Sequence, residues 1–246
     1  MRILATVSYK GTNYQGWQKQ TNAPSVQEEI EKVLSQILNT PISIYGSGRT
    51  DAGVHAEGQR FHFDINKENI DIDRLRYSAN CLLPKDIYIK EMKVVDNDFH
   101  ARFNAKEKVY KYIIRFNDRN PLTYEYEANI LNPTSIDLLS DALKEFIGTH
   151  NFQDFNSKEE DEKGFVRTIN KIDTFYDKYT NQMSIVFYGD GFMRYQIRYM
   201  VGTALAIAQG KEDFCYIANH LKENKKREIV NYKAPAEGLY LLEVKY

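Results

Sequence analysis

Ile42-Ser-Ile-Tyr-Gly-Ser-Gly-Arg-Thr-Asp-Ala-Gly-Val-His-Ala-Glu-Gly-Gln-Arg-Phe-His-Phe-Asp-Ile65 reads as a short strand, a glycine-rich loop and a second strand. Gly46, Gly48, Gly53 and Gly58 surround Arg49, Asp51 and His55 in that loop. Glycine tolerates positive φ and lets another molecule come close to the backbone, so such a loop is built for contact. A phosphate cradle would end in Gly-Lys-Ser/Thr, and a dinucleotide fingerprint would open a helix. Here Phe61, Phe63 and Ile65 alternate on one face of a strand, and an aspartate holds the loop's centre. The nucleotide-binding layouts are thereby excluded, and the loop is arranged to present Asp51 to a ligand. Taken alone, an Asp-Ala-Gly turn with Asp51 capping its own backbone is the plainer reading.

Outward from the loop, the first hundred residues alternate strand and helix. Ile3 to Tyr9 has strand alternation, and Ser25 to Leu38 has helical spacing through Val26, Ile30, Val33, Leu34 and Ile37. Ser25 with Glu28 three residues on forms a capping-box pattern. Ile72 to Leu82 is a second helix, stopped by Pro84, and Tyr88 to Val95 is a strand. The order β-α-β-β-α-β is ferredoxin-like. The second half repeats the grammar: a strand at Val109 to Phe116, then a helix at Ser135 to Ile147 capped by Thr134. A hairpin follows at Thr168 to Tyr176 and Met183 to Tyr188. Helices are expected at Phe192 to Ala208 and Phe214 to Glu223, and a closing strand at Leu239 to Tyr246. The expectation is an α+β fold of two tandem ferredoxin-like halves, 1–104 carrying the Asp51 loop and 105–246. Their mostly antiparallel sheets would lie edge to edge, with an active-site cleft between the halves.

The 246 residues are 42% hydrophobic and 27% charged, ordinary values for a soluble globular chain. No apolar run is long enough to span a bilayer, and the N-terminus reads as a strand and not as a signal peptide. Cys81 and Cys215 form no ligand motif and are expected as buried thiols in a reducing cytoplasm. His55 and His62 are expected as structural or surface groups, with no metal site. A net charge of −1 does not announce an RNA binder. Charge is patchy, however, with carboxylates at Asp64 to Asp73 and 158–162 and cations at Lys106 to Lys111, Arg194, Arg198 and 222–227. Such a surface can grip RNA on one face.

Gly48-Arg-Thr-Asp-Ala-Gly-Val-His-Ala56 resembles the active-site signature of the tRNA pseudouridine synthase A family. Further blocks are similar in the family's order: Tyr9-Lys-Gly-Thr-Asn-Tyr-Gln-Gly-Trp-Gln18, Phe99-His-Ala-Arg-Phe-Asn-Ala105 and Arg167-Thr-Ile169. Phe192-Met-Arg-Tyr-Gln-Ile-Arg-Tyr-Met-Val-Gly202 and Ala234-Pro-Ala-Glu-Gly-Leu239 complete the set, which covers essentially the whole chain. The resemblance implies an isomerase that makes pseudouridine in the anticodon stem-loop of tRNA, without cofactor or metal, as a homodimer.

It also implies residue roles. Asp51 is the catalytic carboxylate; attack at C1′, attack at C6 and action as the base of a glycal route all remain open to it. Arg49 enters the space left by the flipped nucleotide, a task that suits a planar, always charged guanidinium. Tyr110 stacks on the target base, although strand alternation with Tyr112 also fits two core aromatics. Arg198, read as one helical turn from Arg194, is the basic partner of Asp51. Leu239 closes the pocket. Lys108, Lys111 and Arg194 are candidates to grip phosphates. The chain departs from the family at Gly148-Thr-His-Asn-Phe152, which has Asn151 in place of an acid, and in the acidic stretch 157–163. The alternatives are the same reaction on ribosomal or another RNA, and a non-catalytic RNA-binding protein with this fold.

Overall fold

The computed structural model describes residues 1–66, 70–157, 164–222 and 226–246. The chain forms two compact units, Met1–Lys106 with Tyr240–Tyr246, and Glu107–Leu239. The acidic run at 158–162 and residues 223–225 within the basic stretch 222–227 lie outside the described residues.

In the first unit β1 (Arg2–Tyr9) is flanked on both edges, and Ile3, Ala5 and Val7 are wholly buried. It pairs antiparallel with β3 (His55–Asp64), Ile3 opposite Phe63 and Ala5 opposite Phe61. On its other edge lies antiparallel β4 (Ile87–Val95). The short β2 (Tyr45–Gly46) pairs with the far end of β3, giving the order β4-β1-β3-β2 of a ferredoxin-like unit. Between these strands run α1 (Val26–Leu38) and α2 (Ile72–Leu82), which pack on each other. Val26, Ile30, Val33, Leu34 and Leu38 make the buried stripe of α1. The Ser25 hydroxyl accepts the Glu28 N–H, a cap of about 1 kcal/mol. Only Tyr45–Gly46 of the strand expected from Ile42 is in a ladder.

The last strand, β10 (Leu239–Lys245), runs parallel to β3 with Tyr240 opposite His55 and Leu241 opposite Ala56. Tyr246 donates to the Ala101 carbonyl at 3.0 Å and its ring meets Phe99 at 4.9 Å. The C-terminal residues therefore belong with the first unit, where a division into 1–104 and 105–246 puts them in the second.

The second unit is a sheet of β5 (Glu107–Phe116), β9 (Gln182–Gly189), β8 (Val166–Asp177) and β7 (Gly148–Asn151), each antiparallel to its neighbour. A short β6 (Ala128–Ile130) lies parallel to β5. The buried face of β5 carries Tyr110, Tyr112, Ile114 and Phe116. Helix α3 (Ile136–Lys144) packs against α4 (Gln196–Ala208), and α5 (Phe214–Leu221) follows. From Met200 to Ala208 every residue of α4 is buried, so it is a core helix and not a surface one.

Several expectations are corrected. Ser135, not Thr134, caps α3 by accepting the Leu138 N–H, and the helix ends at Lys144. Cys81 and Cys215 are both exposed. Each stands off its helix's buried stripe, which runs through Leu75 and Ala79 in α2 and through Ile217 and His220 in α5. Helix α4 begins at Gln196, so Arg194 precedes it and shares no helical face with Arg198.

Candidate active site

The Asp51 loop is held on its backbone. The segment Tyr9 to Trp17 leaves β1 and crosses the loop, making contacts along its length. The Trp17 N–H donates to the Thr50 carbonyl at 3.1 Å, and the Gly53 N–H to the Tyr14 carbonyl at 3.3 Å. The Tyr9 and Thr50 hydroxyls are 2.8 Å apart in the interior. Burial pushes the Tyr9 phenol well above its ordinary pKa, so it stays a neutral hydrogen-bonding group. Gly16, at φ +96°, is where the two backbones meet: a Cβ there would lie 2.5 Å from the Thr50 carbonyl oxygen. Gly11 makes a second close approach, to Val54.

Inside the loop, Gln59 ties the ends together. Its Oε1 accepts from Ser47 at 2.7 Å and its Nε2 donates to the Gly48 carbonyl at 3.0 Å, with Gln59 fully buried. The Val54 N–H returns to the Asp51 carbonyl at 3.1 Å, and Gly53 takes φ +78° to close that turn. Asp51 is half-buried at its apex, and Arg49 is exposed two residues earlier. Each net hydrogen bond contributes about 1 kcal/mol, so several together hold the backbone that carries Asp51 in one place.

The histidines are structural acceptors. His55 is buried and its Nδ1 accepts the Gly11 N–H at 3.0 Å, with its ring on Tyr240 at 4.8 Å. His62 is buried and its Nδ1 accepts the Ala101 N–H at 3.2 Å. Desolvation, with His100 and Arg2 nearby, lowers the His62 pKa to about 4. Among the described residues no group of three or more His, Cys, Asp and Glu could hold a metal ion.

Tyr110, Arg198 and Leu239 lie in the second unit, on elements joined to one another. Tyr110 is buried on β5, its ring edge-on to Phe192 at 5.2 Å. Tyr112, two residues on, donates to the Pro235 carbonyl at 2.8 Å. The Ile113 N–H donates to the Gly238 carbonyl, so the segment ending at Leu239 lies along β5. Arg198 is fixed from the same segment: its Nε donates to the Ala234 carbonyl at 2.8 Å, and the Ala234 N–H returns to the Arg198 carbonyl at 2.9 Å. Gly202 allows that crossing, because a Cβ would lie 2.6 Å from the Tyr232 carbonyl oxygen. Leu239 is buried, its N–H donating to the Ala236 carbonyl.

Sequence reasoning did not single out Trp17, Gln59, Tyr195 or Lys233. Trp17 and Gln59 stand inside quoted blocks, so position was their only signal. Tyr195 takes φ +64° just before α4, where the buried Gln196 side chain accepts the Met193 N–H at 2.9 Å. That turn delays the helix and sets Arg194 outside it.

A family model described as tRNA pseudouridine synthase matches residues 5–104 and 142–246. The chain is 38% identical to tRNA pseudouridine synthase A of Streptococcus thermophilus over 248 aligned positions, covering 100% of this chain and 99% of that protein. It is 38% identical to the protein of that name from an Exiguobacterium species, covering 100% of this chain and 98% of the other. Among solved structures, it matches the archaeal box H/ACA sRNP Nop10-Cbf5 complex at TM-score 0.37 and 12% identity, over 82% of this chain and 44% of that one.

Proposed function

We propose that this chain, which belongs to the tRNA pseudouridine synthase family and is an enzyme that isomerises uridine to pseudouridine in tRNA, works through the Asp51 carboxylate on uridines of the anticodon stem-loop. The reaction breaks the C1′–N1 bond, turns the base and forms a C1′–C5 bond. The C5 proton leaves and N1 takes one up, so composition is unchanged. A carboxylate is ionised at neutral pH and can serve as a covalent nucleophile, and it suits all three routes named above. The observation that supports Asp51 is the clamping of its loop by Trp17, Tyr14, Tyr9 and Gln59. A merely capping aspartate needs no such fixing, whereas an attacking group gains much of its effect from being held in position.

In this reading Arg49, exposed beside Asp51, fills the stack when the uridine is flipped out, a step that costs a few kcal/mol. Tyr110 stacks on the flipped base, Leu239 closes the pocket and Arg198 supplies the positive charge that keeps the carboxylate ionised. The bond changes need no redox partner, and we take the reaction as independent of metal and cofactor. A cytoplasmic location goes with a tRNA substrate, and a homodimer lets one tRNA touch both subunits. Light scattering at micromolar concentration tests the dimer; a clean monomer fully active on whole tRNA overturns it.

The decisive experiment uses tRNA tritiated at uridine C5, which releases its label to water as the new C–C bond forms. Asp51→Asn should abolish release while binding tRNA nearly as well as wild type. Turnover within about tenfold of wild type refutes the assignment of Asp51. Mapping pseudouridine in total RNA with and without the gene separates anticodon-arm uridines from ribosomal RNA.

A further inference from the structure

We propose that Arg194 and Lys233, gathered with Arg198 around the ring of Tyr195, form a binding site for a phosphodiester of the RNA backbone, with Tyr195 as its positioning residue. The inference rests on the reading of the chain as a tRNA-modifying enzyme and adds a subsite to it.

Three cations converge on one ring. The Lys233 Nζ is 4.6 Å from the Tyr195 centroid, the Arg194 Cζ 4.9 Å and the Arg198 Cζ 5.2 Å. Arg194 also donates to the Tyr195 hydroxyl at 3.2 Å, and Lys233 stands 5.9 Å from the neighbouring Tyr199 ring. Among the described residues neither Arg194 nor Lys233 pairs with a carboxylate. They also stand at the start of α4, the positive end of that helix's dipole. One aromatic face attracts a cation but leaves three like charges and a helix N-terminus repelling each other. A single anion adds an attraction to each of these charges and so offsets their mutual repulsion.

The cluster is assembled by the fold. Arg198 is tied to Ala234 in both directions, which fixes the backbone next to Lys233. Tyr195 holds a left-handed backbone, which ordinary L-residues avoid, and Gln196 secures the turn. That conformation sets the ring among the three side chains. Arg194 and Lys233 are exposed and open to a macromolecule. An RNA phosphodiester fits on charge and shape, since guanidinium groups match phosphate oxygens and an ammonium supplies a point charge.

The test is the salt dependence of tRNA binding, because the slope of log K against log salt counts the phosphates neutralised. Arg194→Gln and Lys233→Gln are surface changes, made singly and together. If both cations serve one phosphate, the double variant loses about 0.9 from the slope and each single variant less. An unchanged slope in the double variant overturns the site. So does a loss of about 1.8, which means two independent phosphates. Tyr195→Asn removes the ring while tolerating the left-handed backbone, and should reproduce the double variant's slope, whereas Tyr195→Phe keeps the wild-type value. A wild-type slope in a folded Tyr195→Asn overturns the positioning role. Tritium release by the wild type is measured alongside. If the wild type makes no pseudouridine in tRNA, the functional reading fails; if it does and the slopes do not move, only this subsite fails.

Discussion

Gly16→Ala is the sharpest probe of the clamp on the Asp51 loop, because it perturbs Asp51 without touching its side chain. An alanine Cβ at this position would lie 2.5 Å from the Thr50 carbonyl oxygen, 3.2 Å from the Asp51 carbonyl carbon and 3.3 Å from the Ala52 nitrogen. Ordinary van der Waals contact begins at 3.4 Å, so the crossing must open by about 0.9 Å at Thr50. Both partners are backbone, and no flexible side chain can absorb the shift. The backbone at φ +96° adds a penalty of about 1–2 kcal/mol for any L-residue. With overpacking at about 1–3 kcal/mol, the expected loss of stability is roughly 2–5 kcal/mol. Catalysis should suffer beyond that. A displacement near 1 Å in a positioned group costs on the order of 10²-fold in rate, and the residue next to Thr50 is the proposed reacting group. The assay is single-turnover tritium release at a temperature where the variant is folded by circular dichroism. Gly191→Ala is the control, since nothing lies within 4 Å of its Cβ and its φ is not positive. A folded Gly16→Ala enzyme that turns over within about threefold of wild type refutes the argument that the Tyr9–Trp17 segment positions Asp51.

Two further perturbations follow from the same geometry. Gly202→Ala would drive a Cβ to 2.6 Å from the Tyr232 carbonyl oxygen, so α4 must part from the segment that fixes Arg198. The expected cost is about 1–3 kcal/mol, read as a lower urea midpoint, with activity falling as well. His62 has its folded pKa lowered to about 4 by burial first, then by His100 and Arg2. The unfolded chain therefore binds the extra proton between about pH 6.5 and 4, and stability is lost as pH falls through that window, by up to about 3 kcal/mol. His62→Gln should flatten the change in urea midpoint between about pH 7 and about pH 5; an unaltered pH dependence would assign it to other groups. Finally, exhaustive chelation in monovalent salt should leave turnover intact while the tRNA stays folded, and loss of activity restored only by a transition metal would refute metal independence.

Local pattern was enough for much of this protein. Alternation placed β1, β3 and the β8–β9 hairpin, and helical spacing with a Ser25 cap placed α1, because each signal lies within a few residues of the chain. The alternation of Phe61, Phe63 and Ile65 after the glycine-rich loop also ruled out a nucleotide fingerprint, and the loop's composition marked Asp51. What sequence left undecided depended on backbone conformations that residue type does not signal, or on packing between residues distant along the chain. The onset of α4 is set by a left-handed Tyr195 and a buried Gln196, so a helical pattern running from Phe192 put Arg194 on a face it does not share. Cys81 and Cys215 look like core residues by type, but exposure follows from which stripe of each helix is buried in packing. β10 joins β3 across nearly two hundred residues of chain, a pairing that no local propensity encodes. The same holds for the Asp51 loop. Its sequence names the aspartate, while its conformation comes from Gly16, Trp17 and Gln59, brought there by folding because two backbones in contact leave no room for a side chain.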